Sequence, residues 1–250
     1  PAASGPNVMD IDFDALIANE TDSTLKDMHE YFRDRTPTEK NQYTGMFQGK
    51  NLLLFTGEAF WIGAVNEQYT PTLYKLAHSG FVFENFYNPL WYYSTVDGEY
   101  AATTGLIPTN QVNASQRYAG KNGVSMYFSM GNQLRALGYP TLAYHNNTAN
   151  YYDRNLSHPN LGYDFYACDT GLDVAMTWPQ SDLEMMQLTL PQALAGEKPF
   201  HNYYMTVSGH MNYSFAGNAM SAKHRDEVAD LDMSEAARAY LACNMELDQA

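Results

Sequence analysis

Asn51-Leu52-Leu53-Leu54-Phe55-Thr56-Gly57-Glu58-Ala59-Phe60-Trp61 is the stretch that decides the fold. Its short, unbroken apolar run between a polar residue and a glycine reads as a strand buried on both faces, the signature of a parallel sheet. Downstream, Thr70-Pro71 opens a helix, with a cap and then proline at the first helical position, and Gly80 closes it. Phe81-Val82-Phe83 reads as the next strand. The alternation then continues with a helix from Ser125 to Leu137 ending at Gly138, and a strand from Pro140 to Tyr144. Gly162 to Tyr166 reads as a strand, Asp182 to Leu194 as a helix and Phe200 to Val207 as a strand. Strands and helices alternating at this spacing predict an α/β fold, a mostly parallel central sheet flanked by helices.

Upstream, residues 8–35 carry apolar side chains at helical spacing (Ile11, Phe13, Leu16, Ile17, then Leu25, Met28, Phe32). Two amphipathic helices packing on the outside of the core are expected there. Ser234 to Ala250 reads as a strong helix without a stop signal, so the chain is expected to be the front part of a longer protein. Pro1-Ala2-Ala3-Ser4-Gly5 is no signal peptide and reads as a cleavage boundary.

The chain has 250 residues, 45% of them hydrophobic, enough for one sizeable core. Its formal net charge of -14 argues against nucleic acid and against a polybasic membrane-surface patch. No apolar run reaches the length of a membrane span. Cys168 and Cys243 show no metal-site spacing and read as ordinary buried residues. The 20 tyrosines suit surfaces facing carbohydrate or lipid headgroups, and tyrosines also simply pack.

In open α/β sheets chemistry gathers beyond the C-terminal ends of the strands. Glu58 falls at such an exit. Thr95, in Tyr93-Ser94-Thr95-Val96-Asp97-Gly98-Glu99-Tyr100, opens a helix, where unpaired N–H groups and the helix dipole favour anions and phosphate esters. The plainer reading makes Ser94 or Thr95 an N-cap, with Asp97 and Glu99 as first-turn acids. His145 ends another strand, Arg154 follows it, and His210 ends the strand that begins near Phe200. A carboxylate, a hydroxyl, two histidines and an arginine on one rim describe a phosphoryl-transfer site: a metal-binding acid, an activated nucleophile and cationic groups for phosphate oxygens.

The segments 51–60, 70–77 and 85–87, Ser94-Thr95 with Asp97-Gly98-Glu99-Tyr100, and 137–145 resemble one family's motifs in order. Arg154, then 161–164 and 204–210, complete the series. From about residue 50 onward the chain resembles the lipoteichoic acid synthase family, phosphoglycerol transferases of the alkaline phosphatase/sulfatase superfamily. The resemblance implies residues 1–49 as a helical linker and 50–250 as the N-terminal portion of the catalytic domain. It implies Glu58 as a metal ligand and Thr95 as both metal ligand and nucleophile, forming a glycerophosphoryl-enzyme intermediate. It implies His145, Arg154 and His210 as headgroup-binding residues, with Tyr152 standing where an aromatic residue, often tryptophan, is expected. Mn²⁺ or Mg²⁺ is the implied cofactor, phosphatidylglycerol the implied donor, and a glycan or polyglycerolphosphate the implied acceptor. The implied location is the bacterial cell membrane, with the catalytic domain extracellular and held by an N-terminal anchor.

The family's remaining Asp-His metal ligands have no counterpart here. An incomplete metal site and a sheet with an uncovered apolar face are therefore expected. Thr95-Val96-Asp97-Gly98-Glu99 lacks the Cys/Ser-x-Pro-x-Arg context of sulfatases. The remaining alternatives are a hydrolase on the same fold and a non-catalytic fragment.

Overall fold

The apolar run at the head of the sequence is a strand, β1 (Leu52–Thr56), and it lies at one edge of a four-stranded sheet. The computed structural model describes residues 4–88, 92, 94–124, 126–196 and 199–250. It forms two compact units, residues 1–50 and 51–250. The first holds α1 (Phe13–Asn19) and α2 (Ser23–Arg33), capped by Asp12 and Asp22, whose carboxylates accept N–H bonds from the first turns. Neither helix has a buried residue, and Leu25, Met28 and Phe32 remain exposed. The expected pair of helices exists, and within this unit its apolar stripe stays exposed.

The second unit continues with α3 (Pro71–Ala77), α4 (Ser94–Thr104), α5 (Val112–Asn122) and α6 (Met130–Ala136). Next come β2 (Thr141–His145), α7 (Arg154–Asn160), β3 (Asp164–Ala167), α8 (Asp182–Leu194) and β4 (His201–Met205). Two further helices, α9 (Ala219–Lys223) and α10 (Glu235–Gln249), complete it. The sheet order is β1-β4-β2-β3, every pair parallel. The parallel sheet and flanking helices expected from the sequence are therefore present.

Adjacent residues on a strand face opposite sides, so β2 and β4 each feed two core layers. Tyr144 and Tyr204 pack with Leu172, Val174, Met185 and Met186 on one face. Ala143, Tyr203 and Met205 pack with Leu161 and Tyr163 on the other. Many of the tyrosines pack rather than face a wet surface. Phe55, Tyr204, Tyr144 and Tyr166 occupy matched register positions on all four strands and stack at centroid spacings of 5.2, 5.2 and 5.7 Å. Each such pair adds roughly 0.5–1.5 kcal/mol beyond area burial.

Three local expectations are corrected. Phe81-Val82-Phe83 forms no strand: the three side chains are exposed, and a strand this short has too few ladder bonds to hold. The helix expected over 125–137 begins only at Met130, with Ser125 outside the described residues. Thr70 does not cap α3 with its side chain; the N–H of Leu73 is taken instead by Asp248 Oδ1 at 2.7 Å, from α10. Of the two cysteines, Cys243 is buried and Cys168 half-buried, and both are free. On β1, Leu53 and Phe55 are 38% and 45% exposed, leaving an apolar strand face uncovered.

Candidate functional site

Parallel topology puts the C-terminal ends of β1, β4 and β2 on one rim, and the residues that leave these strands build the site. After Thr56 the chain turns through Gly57 and Glu58, with Ala59 in the left-handed region at φ 51°. The Glu58 N–H donates to Thr206 Oγ1 at 2.9 Å, and Thr206 Oγ1 donates to Thr56 O at 3.2 Å, so the exit of β1 is tied to the exit of β4. Gly209 closes the same contact: a Cβ there would stand 2.7 Å from Glu58 O, a distance that only glycine avoids.

Thr95 lies in the first turn of α4, and its Oγ1 donates to Glu58 Oε2 at 3.2 Å. The two side chains line an open cavity of about 380 Å³, together with Thr56, Gly57, Ala59, Phe60, Asn88, Gly98 and Met205. A hydroxyl at a helix start, hydrogen-bonded to a carboxylate and facing solvent-filled space, is the arrangement of a nucleophile with a polarising partner.

The other four residues singled out from the sequence do not line this cavity. His145 is 4% exposed, and its Nδ1 lies 3.0 Å from Met205 O. Burial, with the nearby Arg154 charge, pushes its pKa down to about 3. It is thus a neutral imidazole, not the cation expected. Arg154 is 2% exposed. Its Nε and Nη2 donate to Glu99 Oε2 at 3.0 and 2.8 Å. Burial alone would raise the Glu99 carboxyl, but Arg154 and His158 hold it well below the usual carboxylate range. Tyr203 OH donates to Glu99 Oε1 at 3.1 Å. Arg154 also sits over the Tyr152 ring, 5.4 Å from its centroid. Tyr152 and Asp153 both adopt left-handed backbone, at φ 57° and 54°, a costly pair of conformations that aims Arg154 inward. His210 is half-buried, its Nδ1 2.8 Å from Met211 O and its ring edge-on to Trp178 at 4.9 Å.

Glu99 is the residue the sequence reading misplaced. It is not a solvated first-turn acid but the buried counter-ion of Arg154, and its spacing of four from Thr95 on one helix was the available signal. Asp182 carried no such signal. Its carboxylate accepts N–H bonds from Val207 and Ser208, both at 2.9 Å, and so anchors the segment leading to Gly209 and His210. Burial pushes its pKa up to about 6 against those bonds.

Glu58 and Thr95 are hard oxygen donors of the kind Mg²⁺ and Mn²⁺ take, so the donor chemistry fits such an ion. The count does not reach a full set: among the described residues no group of three or more His, Cys, Asp or Glu gathers to hold a metal.

Residues 50–250 match the protein family described as Sulfatase. The chain belongs to the sulfatase family. It is 23% identical over 206 residues to lipoteichoic acid synthase 2 of Bacillus subtilis, covering 76% of this chain and 30% of that protein. The lipoteichoic acid synthase LtaP of Listeria monocytogenes superposes with a TM-score of 0.65 at 22% identity, over 82% of this chain and 51% of that one. An alkaline phosphatase superfamily protein from Vibrio parahaemolyticus gives 0.57 at 19% identity, over 80% and 48%. The chain thus spans about a third to a half of the length of these relatives. The sulfatase-family fold and the likeness to lipoteichoic acid synthases bear out the resemblance carried by the motifs. No helix among the described residues is long and apolar enough to cross a membrane.

Proposed function

We propose that this chain carries the nucleophile-bearing part of a phosphoglycerol transferase acting at the outer face of a bacterial cell membrane. The observation that carries the reading is the Thr95 hydroxyl, at the start of α4, donating to Glu58 Oε2 in an open cavity. The similarity to lipoteichoic acid synthase 2 supports this class over others on the same fold. Thr95-Val96-Asp97 lacks the Cys/Ser-x-Pro-x-Arg context, which speaks against sulfate-ester chemistry.

In this reading the donor is phosphatidylglycerol. Thr95 Oγ attacks the phosphorus of its diester, and the hydroxyl proton leaves along the bond already made to Glu58. The Oγ–P bond forms as the P–O bond to diacylglycerol breaks, and the diacylglycerol oxygen takes up a proton. A hydroxyl of a glycan or of a growing polyglycerolphosphate then displaces Thr95 in a second in-line step. Glu58 and Thr95 would hold Mn²⁺ or Mg²⁺, which when bound lowers the hydroxyl pKa and draws charge from the phosphoryl oxygens. The buried Glu99-Arg154 pair ties α4, which carries Thr95, to α7 and so holds the nucleophile's helix in place. His145, with its Nδ1 at Met205 O, and His210, with its Nδ1 at Met211 O, stand outside this cavity and make no headgroup contact in this reading.

The test is Thr95→Ala in the full-length protein, followed by diacylglycerol release from fluorescent phosphatidylglycerol. Release should fall by about a hundredfold or more while the circular dichroism spectrum and melting temperature hold. Activity retained at the wild-type level would remove Thr95 as nucleophile and the reading with it.

A further inference from the structure

Glu58 has no regular secondary structure to hold it. It sits in a turn whose next residue, Ala59, is forced into left-handed backbone at φ 51° without being a glycine. Such a residue relaxes unless something outside the turn pins it. The pin comes from α10, 181 residues away in sequence. Tyr240 OH donates to Ala59 O at 3.0 Å and accepts from Trp61 N–H at 2.8 Å. One hydroxyl thus clamps the turn from the carbonyl of its strained residue to the N–H two residues on. Thr206 holds the Glu58 N–H and Gly209 packs on the Glu58 carbonyl, so two contacts fix Glu58 itself and Tyr240 fixes the residues that follow it. The Tyr240 ring is itself fixed edge-on against Tyr213 at 5.0 Å, and Tyr213 OH donates to Gly209 O at 3.2 Å.

We infer that Tyr240 is a positioning residue, whose hydroxyl holds the Ala59 turn and thereby aims the Glu58 carboxylate at Thr95. The inference rests on the role proposed above for the Glu58-Thr95 pair. Tyr240 touches neither reacting group and acts through the backbone of 59–61 alone. Its ring packs without the hydroxyl, so Tyr240→Phe removes two hydrogen bonds and leaves the shape of α10 intact.

The experiment uses the full-length protein and three variants: Tyr240→Phe, Ala59→Gly and the two combined. Readouts are hydrogen exchange of the 58–61 amides, melting temperature, and kcat and KM for diacylglycerol release from fluorescent phosphatidylglycerol. Tyr240→Phe is expected to speed exchange over 58–61 and to lower kcat by about tenfold with KM little changed, because a misaimed group costs turnover more than binding. Glycine adopts the left-handed turn without strain, so Ala59→Gly should restore much of the kcat lost in Tyr240→Phe. A role limited to packing of α10 would lower the melting temperature and would not be rescued from residue 59. Wild-type kcat in Tyr240→Phe, or lowered kcat without faster exchange over 58–61, or no rescue in the double variant, would overturn the inference. So would failure of both Tyr240 variants to fold. Full activity in Thr95→Ala would instead sink the nucleophile assignment while leaving the exchange result standing, which separates the two failures.

Discussion

Arg154 and Glu99 are both nearly dry, so the charge of each is compensated by the other. Removing one partner leaves an uncompensated charge in the interior, a more expensive state than the pair itself or a neutral replacement of both. Glu99→Gln is therefore expected to lower the unfolding free energy by about 3–5 kcal/mol, measured by urea titration at pH 7. Arg154→Lys keeps the charge but loses the forked contact that Nε and Nη2 make with one carboxylate oxygen, and should lie between wild type and Glu99→Gln. A Glu99→Gln protein as stable as wild type would mean that the pair is solvated. The residue scale also explains His145: a strand-end histidine looks cationic in sequence, yet burial and a neighbouring guanidinium deny it a proton.

Between elements, the exits of β1 and β4 lie close enough to share hydrogen bonds, and Gly209 is where the backbones nearly touch. Its φ is not in the left-handed region, so space rather than conformation requires glycine here. Gly209→Ala should push the β4 exit away from Glu58, at about 1–3 kcal/mol of stability, and lower turnover more than stability alone explains. Thermal unfolding and diacylglycerol release, read together, check this; an alanine tolerated in both would mean that the turn yields freely. The N-terminus of α8 belongs to the same arrangement, since Asp182 accepts from Val207 and Ser208 while its own N–H donates to Ser208 Oγ at 2.9 Å. Helix α10 contributes more than its apolar face, through Tyr240 to Ala59 and Asp248 to α3.

Over the whole molecule the buried ionisable groups pull stability in opposite directions with pH. The pKa of His145 is pushed down to about 3 from 6.5, so its contribution is lost as pH falls below about 6.5. The pKa of Asp182 is pushed up to about 6 from 3.8, so the folded state takes its proton first and gains stability as pH falls from about 6 to 4. Each is worth at most about 1.4 kcal/mol per pH unit within its window, and the two offset each other there. Glu246 is held down to about 2 and Glu99 lower still, against ordinary values of 4.5, so both contribute above pH 4.5 and fail below it. The urea midpoint should therefore change little between pH 6 and 4.5 and drop steeply beneath. In Asp182→Asn the offset is gone, and the decline should begin near pH 6. An early decline in the wild-type protein would show that Asp182 does not take up its proton in that range.

What the chain's own order of residues determined was local. The apolar run 52–55, the proline-opened helix at 71, the Gly138 stop and the Ser-Thr start of α4 each depend on neighbours a few positions away, and propensity and periodicity report such neighbours. Glu58 and Thr95 could be singled out because strand exits and helix starts are local features; their hydrogen bond came only with the fold. Tertiary structure decided what depended on partners far along the chain. It inserted β4 between β1 and β2, joined Glu99 to Arg154 across 55 residues, and brought Tyr240 to Ala59 across 181. Burial and ion pairing decide protonation and aim, and both come into being only when distant segments exclude water together.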